Sequence, residues 1–241
     1  TSTTTTVAPT GTAVGATPPA DTPAGPLVVE QVPGATPGLY GGTRNNRVCD
    51  VAQLVSFLEA NPDKGAAWAE AQGIEPSGIA AFVATLTPVL LRADTRVTNY
   101  GYDRGRPVPR QAVLQAGTAV LVDARGVPRA RCKCGNPLAE PIPVTGPPTY
   151  TGDTWPGFDP GAVQAVTPAD QPLDGLVLTD PATGEVFERP VGTGGEADAP
   201  VTSTTVPPIT VGGVDTTVAT TVAPTVPPDT TTESTTELTT V

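Results

Sequence analysis

Between Asp50 and Leu86 the apolar positions recur at spacings of three and four, and beyond Pro88 they alternate. Val51, Leu54, Val55 and Leu58 share one face of a helix, which Asp50, with Gln53 three positions later, opens as a capping box and Asn61 closes. Pro62 suits the first position of a second helix, which carries Trp68 and stops at Gly73. Ile79, Phe82, Val83 and Leu86 mark a third between Pro76 and Pro88. Stripes of this kind on short helices are expected to face a core rather than a ligand.

From Val89 the period is two. Val89 to Arg92, Thr95 to Tyr102 and Ala112 to Gln115 read as strands, and Thr118 to Asp123 pairs with Val127 to Cys134 across Ala124, Arg125 and Gly126. On the return strand Arg129, Arg131 and Lys133 share one face and Ala130, Cys132 and Cys134 the other, so both cysteines are expected to point inward. Pro137, Pro141, Pro143, Pro147 and Pro148 then predict an extended strap across the surface, pinned to the core by Trp155 and Phe158. Leu176 to Thr179 and Val186 to Arg189 form a last hairpin, beyond which order is expected to fade after Gly192. The expected class is α+β, with short N-terminal helices, a mainly antiparallel sheet and a Pro-rich strap.

Composition sets the boundaries. The chain has 241 residues, with 30 Pro, 26 Gly, no Met and no His. All its aromatic residues fall between Tyr40 and Phe187, and all 13 Lys and Arg between Arg44 and Arg189. That stretch holds 16 acids, so most of the net charge of −11 lies in the flanks. Residues 1–38 read as a Thr/Pro/Gly-rich linker, 39–194 as a single globular domain and 195–241 as a Thr/Val/Pro-rich tail. Both flanks are expected to be disordered, because they bury too little to offset about 1–2 kcal/mol of backbone entropy per residue. Their composition fits an O-glycosylated stalk or a bare flexible linker, and no N-linked sequon is present.

Without histidine there is no imidazole general base, no Ser-His or Cys-His pair and no His-ligated metal. The lack of Met in a chain starting at Thr1 predicts a processed product, with a signal peptide or a lipidated cysteine upstream. No run of about 18 apolar residues could span a bilayer.

The runs LRADTRVTN from Leu91, VLQAGTAVLVD from Val113 and RCKCGNPL from Arg131, with the helical block around Trp68 and FERPVGT from Phe187, are familiar together. The central segment resembles an actinobacterial family of secreted or lipid-anchored domains of unknown function. The resemblance implies an extracellular or cell-envelope location and no established activity or cofactor. Where that family is expected to have Asn-His-Gly, this chain has Asn99-Tyr100-Gly101, which argues against a histidine-based function.

Three cysteines, Cys49, Cys132 and Cys134, form an odd set for an oxidising compartment. The favoured pairing joins Cys49 to one member of the Cys-x-Cys, closing a loop of about 80 residues worth roughly 4 kcal/mol, with the third thiol buried and inert. Ligation of a soft metal by three thiolates and a redox-active Cys-x-Cys are the alternatives.

Arg96, Arg104, Arg106, Arg129, Arg131 and Lys133 fall in an Arg-rich stretch where bases outnumber acids, and Arg favours bidentate contact with carboxylate or phosphate. They predict a β face for an anionic envelope polymer, a lipid head group or an acidic protein, against the plainer reading of a solvated face paired with acids elsewhere. Nucleic acid is not expected as a partner of so acidic a chain. No catalytic or cofactor site stands out. Ser56 and Ser77 lack a base, and Asp153, Asp159, Asp170, Asp174 and Asp180 lack motif spacing and read as turn acids. Two function classes remain: a non-enzymatic envelope or extracellular binding module tethered by its linkers, and an envelope polysaccharide-acting enzyme using Asp/Glu carboxylates.

Overall fold

The computed structural model describes residues 29–144 and 148–201, and most of the two expected tails lies outside them. Short strands β1 (Glu30–Pro33) and β2 (Tyr40–Gly41) precede the helices α1 (Val51–Ala60), α2 (Pro62–Gln72) and α3 (Ile79–Ala84). Gln53 N donates to Asp50 Oδ1 at 2.8 Å, which caps α1 as its spacing predicts. Pro62 opens α2, and Gly73 closes it in the left-handed conformation at φ 68°. The two helices approach closely at Gly65, where a Cβ would sit 2.8 Å from Leu58 O.

Strands β3 (Thr87–Leu91), β4 (Thr95–Asp103), β5 (Arg106–Leu114), β6 (Ala119–Val122), β7 (Pro128–Arg131), β8 (Leu138–Ala139), β9 (Gln164–Thr167), β10 (Gly175–Thr179), β11 (Val186–Pro190) and β12 (Ala199–Pro200) complete the fold. They form two sheets, β1-β9-β4-β5 with β8 beside β4, and β12-β11-β10-β2-β3-β6-β7. The architecture is α+β as expected. The β6–β7 and β10–β11 hairpins are antiparallel as expected, whereas β9 runs parallel to both β1 and β4, and β2 parallel to β10.

Alternation along β6 sets the layers. Val120 and Val122 enter one core with Val97, Leu114, Leu138, Leu178 and Phe187 from both sheets. Leu121, on the other face, enters a second core with Leu58, Trp68, Ile79 and Val83 from the helices. The molecule is therefore helices on one sheet, and that sheet on another. Gly34 and Gly126 let two backbones cross where any Cβ would strike main-chain atoms.

Three boundaries differ from expectation. Strand β5 runs nine residues, not only from Ala112, because its prolines sit where their missing N–H is harmless. Tyr100 N donates to Pro137 O on its far side, so Pro109 opposite Tyr100, and Pro107 two positions away, face out from β4 at the sheet edge. The fold also includes chain ahead of residue 39, because β1 completes a ladder with β9. At the other end it continues past residue 194 to Val201, because Arg189 needs Asp198.

Arg189 and Asp198 form a fully buried ion pair, with Nη2–Oδ2 at 2.7 Å and Nε–Oδ1 at 2.8 Å. The remaining guanidinium donors reach the carbonyls of Pro88, Thr43 and Asn46. A bidentate pair with all three guanidinium nitrogens engaged offsets the desolvation of both charges. Gly192 N also donates to Thr87 Oγ1 at 2.8 Å, so Gly192 to Gly195 belong to the fold rather than to a linker.

Candidate functional site

The six expected bases are distributed over two sheets. Arg96 is on β4, and Arg104 and Arg106 are at the β4–β5 turn and the start of β5. Arg129 and Arg131 are on β7 of the other sheet, with Lys133 just beyond its end. Arg106 is paired with Glu70 at 3.2 Å and Arg129 with Asp123 at 2.7 Å, as the plainer reading of paired surface charges would have it. Arg104, its side chain 92 % exposed, lies 4.0 Å from Asp103. Arg131 and Lys133 border a shallow cup against the Gln115–Ala119 turn, and Arg131 Nε is sealed from water with no acceptor among the described residues.

Arg96 is the exception among them. It is only 7 % exposed, yet no carboxylate of the described residues lies within ion-pair distance. Among the described residues its hydrogen-bond partner is Gln111 Oε1, at 3.1 Å. Cross-strand register explains the contact, since Thr98 faces Gln111 and Arg96 faces Val113, which puts all four on one face of β4–β5. Gln111 is fixed from both ends: Ile142 N donates to its Oε1 at 2.9 Å, and its Nε2 donates to Thr98 Oγ1 at 2.8 Å. Thr98 Oγ1 in turn donates to Glu140 O at 2.7 Å, which ties the start of the strap to the sheet. No Arg96 nitrogen is among the sealed, unpartnered atoms of the described residues, so its remaining N–H groups stay open to an anion in the cleft.

The strap encloses the space in front of Arg96. Trp155 Nε1 donates to Asp94 Oδ2 at 3.1 Å, and Asp94 Oδ1 accepts from Ala116 N at 2.8 Å, so one carboxylate pins the strap and orients a loop. Phe158 stacks edge-on against both Trp155 and Tyr150, with centroids 5.0 and 5.5 Å apart. Between these rings and the β4–β5 face is a cleft of about 410 Å³, lined by Arg96, Gln111, Tyr150, Asp153, Trp155 and Phe158 among others. Tyr150 Oη is closed off from water and has no partner among the described residues. Its pKa is raised by that burial, which outweighs the opposing pull of Arg96 nearby, so the hydroxyl keeps its proton and can donate.

The cysteines resolve differently from expectation in part. Cys49 and Cys132 form a disulfide, their Cα atoms 5.4 Å apart, and this excludes ligation of a metal by all three thiolates. Cys134 is free and exposed, not buried. The ladder stops at Arg131 and the chain turns, with Gly135 N donating back to Arg131 O at 2.8 Å, so alternation no longer governs position 134. The expected turn acids behave as such at two positions, Asp159 accepting from Gly161 N and Asp180 from Ala182 N, each at 2.8 Å.

Residues 30–192 match the model of a family described as a domain of unknown function. The chain belongs to the DUF6777 family. No curated protein and no solved structure matches the chain. The matched DUF6777 segment contains the whole strap cleft and the disulfide, and stops short of Asp198. Sequence reasoning named Arg96, Asp153, Trp155 and Phe158, but not Gln111, Asp94 or the role of Tyr150. Only the polar residues facing across β4–β5 could have pointed to Gln111, and the true length of β5 was masked by Pro107 and Pro109.

Proposed function

We propose that this DUF6777 domain is a non-enzymatic binding module of the cell envelope or extracellular space, and that it takes an anionic partner. The observation that carries the reading is Arg96, largely buried at the floor of a cleft with no counterion among the described residues. A disulfide between Cys49 and Cys132 favours an oxidising compartment, and the Thr- and Pro-rich flanks suit a tether, O-glycosylated or bare, of a secreted or lipid-anchored actinobacterial protein. Among the described residues no helix is long and apolar enough to cross a membrane. The competing enzymatic reading has Asp153 as the one carboxylate lining the cleft, whereas glycoside hydrolysis ordinarily uses two.

Cosedimentation of the full chain with isolated bacterial cell walls tests the proposal. Binding is expected at low salt, to weaken as salt rises, and to be lost in Arg96→Gln while exposed Arg104→Gln binds like the parent. Thermal melts of both variants separate lost binding from lost folding. Binding by Arg96→Gln equal to the parent's, or wall-polymer turnover that Asp153→Asn abolishes, overturns it.

A further inference from the structure

We infer that the strap cleft is a subsite for a sugar ring bearing a carboxylate, with Arg96 on the carboxylate and the ring against Trp155 and Phe158. This rests on the anionic-partner reading and narrows it to one ligand class. Two features converge, an open cation and apolar walls. The Arg96 guanidinium uses Nη2 on Gln111 and meets no acid among the described residues, so the rest of its planar donor fork matches the two oxygens of a carboxylate. Tyr150 Oη has no surface open to the cleft, so Tyr150 contributes its ring and not its hydroxyl.

The walls decide between anions. A bare phosphate or a short aliphatic acid would engage Arg96 and leave the Tyr150–Phe158–Trp155 rings idle. A flat aromatic acid would use the rings but not the hydroxyls of Thr149, Thr151 and Thr154, which line the same space. A pyranose offers both a C–H face for the rings and hydroxyls for the threonines, and about 410 Å³ is room for one such ring and part of the next. Trp155 is held in place by Asp94 before any ligand arrives, so one wall is preorganised.

The test is titration calorimetry of the full chain with trigalacturonate, maltotriose and inorganic phosphate. Trigalacturonate is expected to bind at least about tenfold more tightly than either of the others, which is the worth of one charge-assisted hydrogen bond. Arg96→Gln is expected to weaken trigalacturonate at least about tenfold, whereas Tyr150→Phe, which removes a hydroxyl closed to the cleft while keeping the ring, is expected to leave the affinity unchanged with an unchanged or higher Tm. Trp155→Ala should abolish binding with Arg96 still present. Equal affinity for maltotriose overturns the carboxylate assignment. Phosphate binding as tightly as trigalacturonate overturns the sugar assignment yet leaves an anion site at Arg96. Heat from none of the three overturns the subsite, and the anionic reading then stands or falls on the cell-wall experiment alone.

Discussion

In the β6–β7 hairpin every second side chain enters one of two cores, whereas from Glu140 to Val163 the described chain has no ladder and is held by side chains. Gln111, Thr98 and Asp94 grip it through single hydrogen bonds, and three aromatic rings fill in beneath. The first arrangement pairs Arg129 with Asp123 and leaves only Arg131 Nε without an acceptor among the described residues. The second leaves Arg96 without an acid and Tyr150 Oη without an acceptor among those residues. Binding groups accumulate where packing does not already consume them, on irregular chain carried by a rigid frame.

Damage to the frame should therefore appear as lost stability, and damage to the strap as lost binding. The largest expected effect is Asp198→Ala, which strands the buried Arg189 charge and should cost about 3–5 kcal/mol by urea denaturation. A loss below about 1 kcal/mol would mean that the pair is not what holds residues 195–201 to the sheets. Next, replacing Cys49 and Cys132 together by Ala should cost about 2–5 kcal/mol, while protein that still folds keeps the parent affinity for trigalacturonate. Changed affinity at unchanged stability would show that frame and strap are not separable. The smallest effect concerns Asp180, whose pKa is held down by the backbone N–H of Ala182 and then of Thr183. A carboxylate so shifted stabilises the fold above its unfolded value of about 4 and loses that contribution as pH falls through its lower folded value. Asp180→Asn should lower Tm at neutral pH and flatten its fall between about pH 5 and pH 2. A profile parallel to the parent's would remove Asp180 from the acid response.

The same contrast explains what could be read from the residues alone. Asp50, Pro62 and Gly73 mark helix ends by local chemistry, and the β6–β7 and β10–β11 hairpins show in their alternation, so these elements sit where expected. Strands β1, β2, β8, β9 and β12 have two to four residues each, too few to display a period, and all but β12 pair with strands distant in sequence. Counting thiols pairs Cys49 with one member of the Cys-x-Cys, but the choice of Cys132 and the exposure of Cys134 depend on a turn that begins at Cys132, where alternation predicts strand through Cys134. Of the cleft, Arg96 was visible as a charge and Trp155 and Phe158 as anchors. That they meet is decided by the parallel pairing of β9 with β4, which returns the strap to the sheet and which no local pattern encodes.

The prolines of β5 have a consequence for the protein in a crowd. A nine-residue strand at the end of a sheet offers a row of free backbone groups on which a second molecule could extend the ladder. Pro107 and Pro109 delete two donors from that row, and Arg106 and Arg110 put positive charge beside them. Replacing the two prolines by Val is expected to give the domain a cleaner strand and a more adhesive border, so the feature that hid β5 from pattern reading also disfavours edge-to-edge pairing.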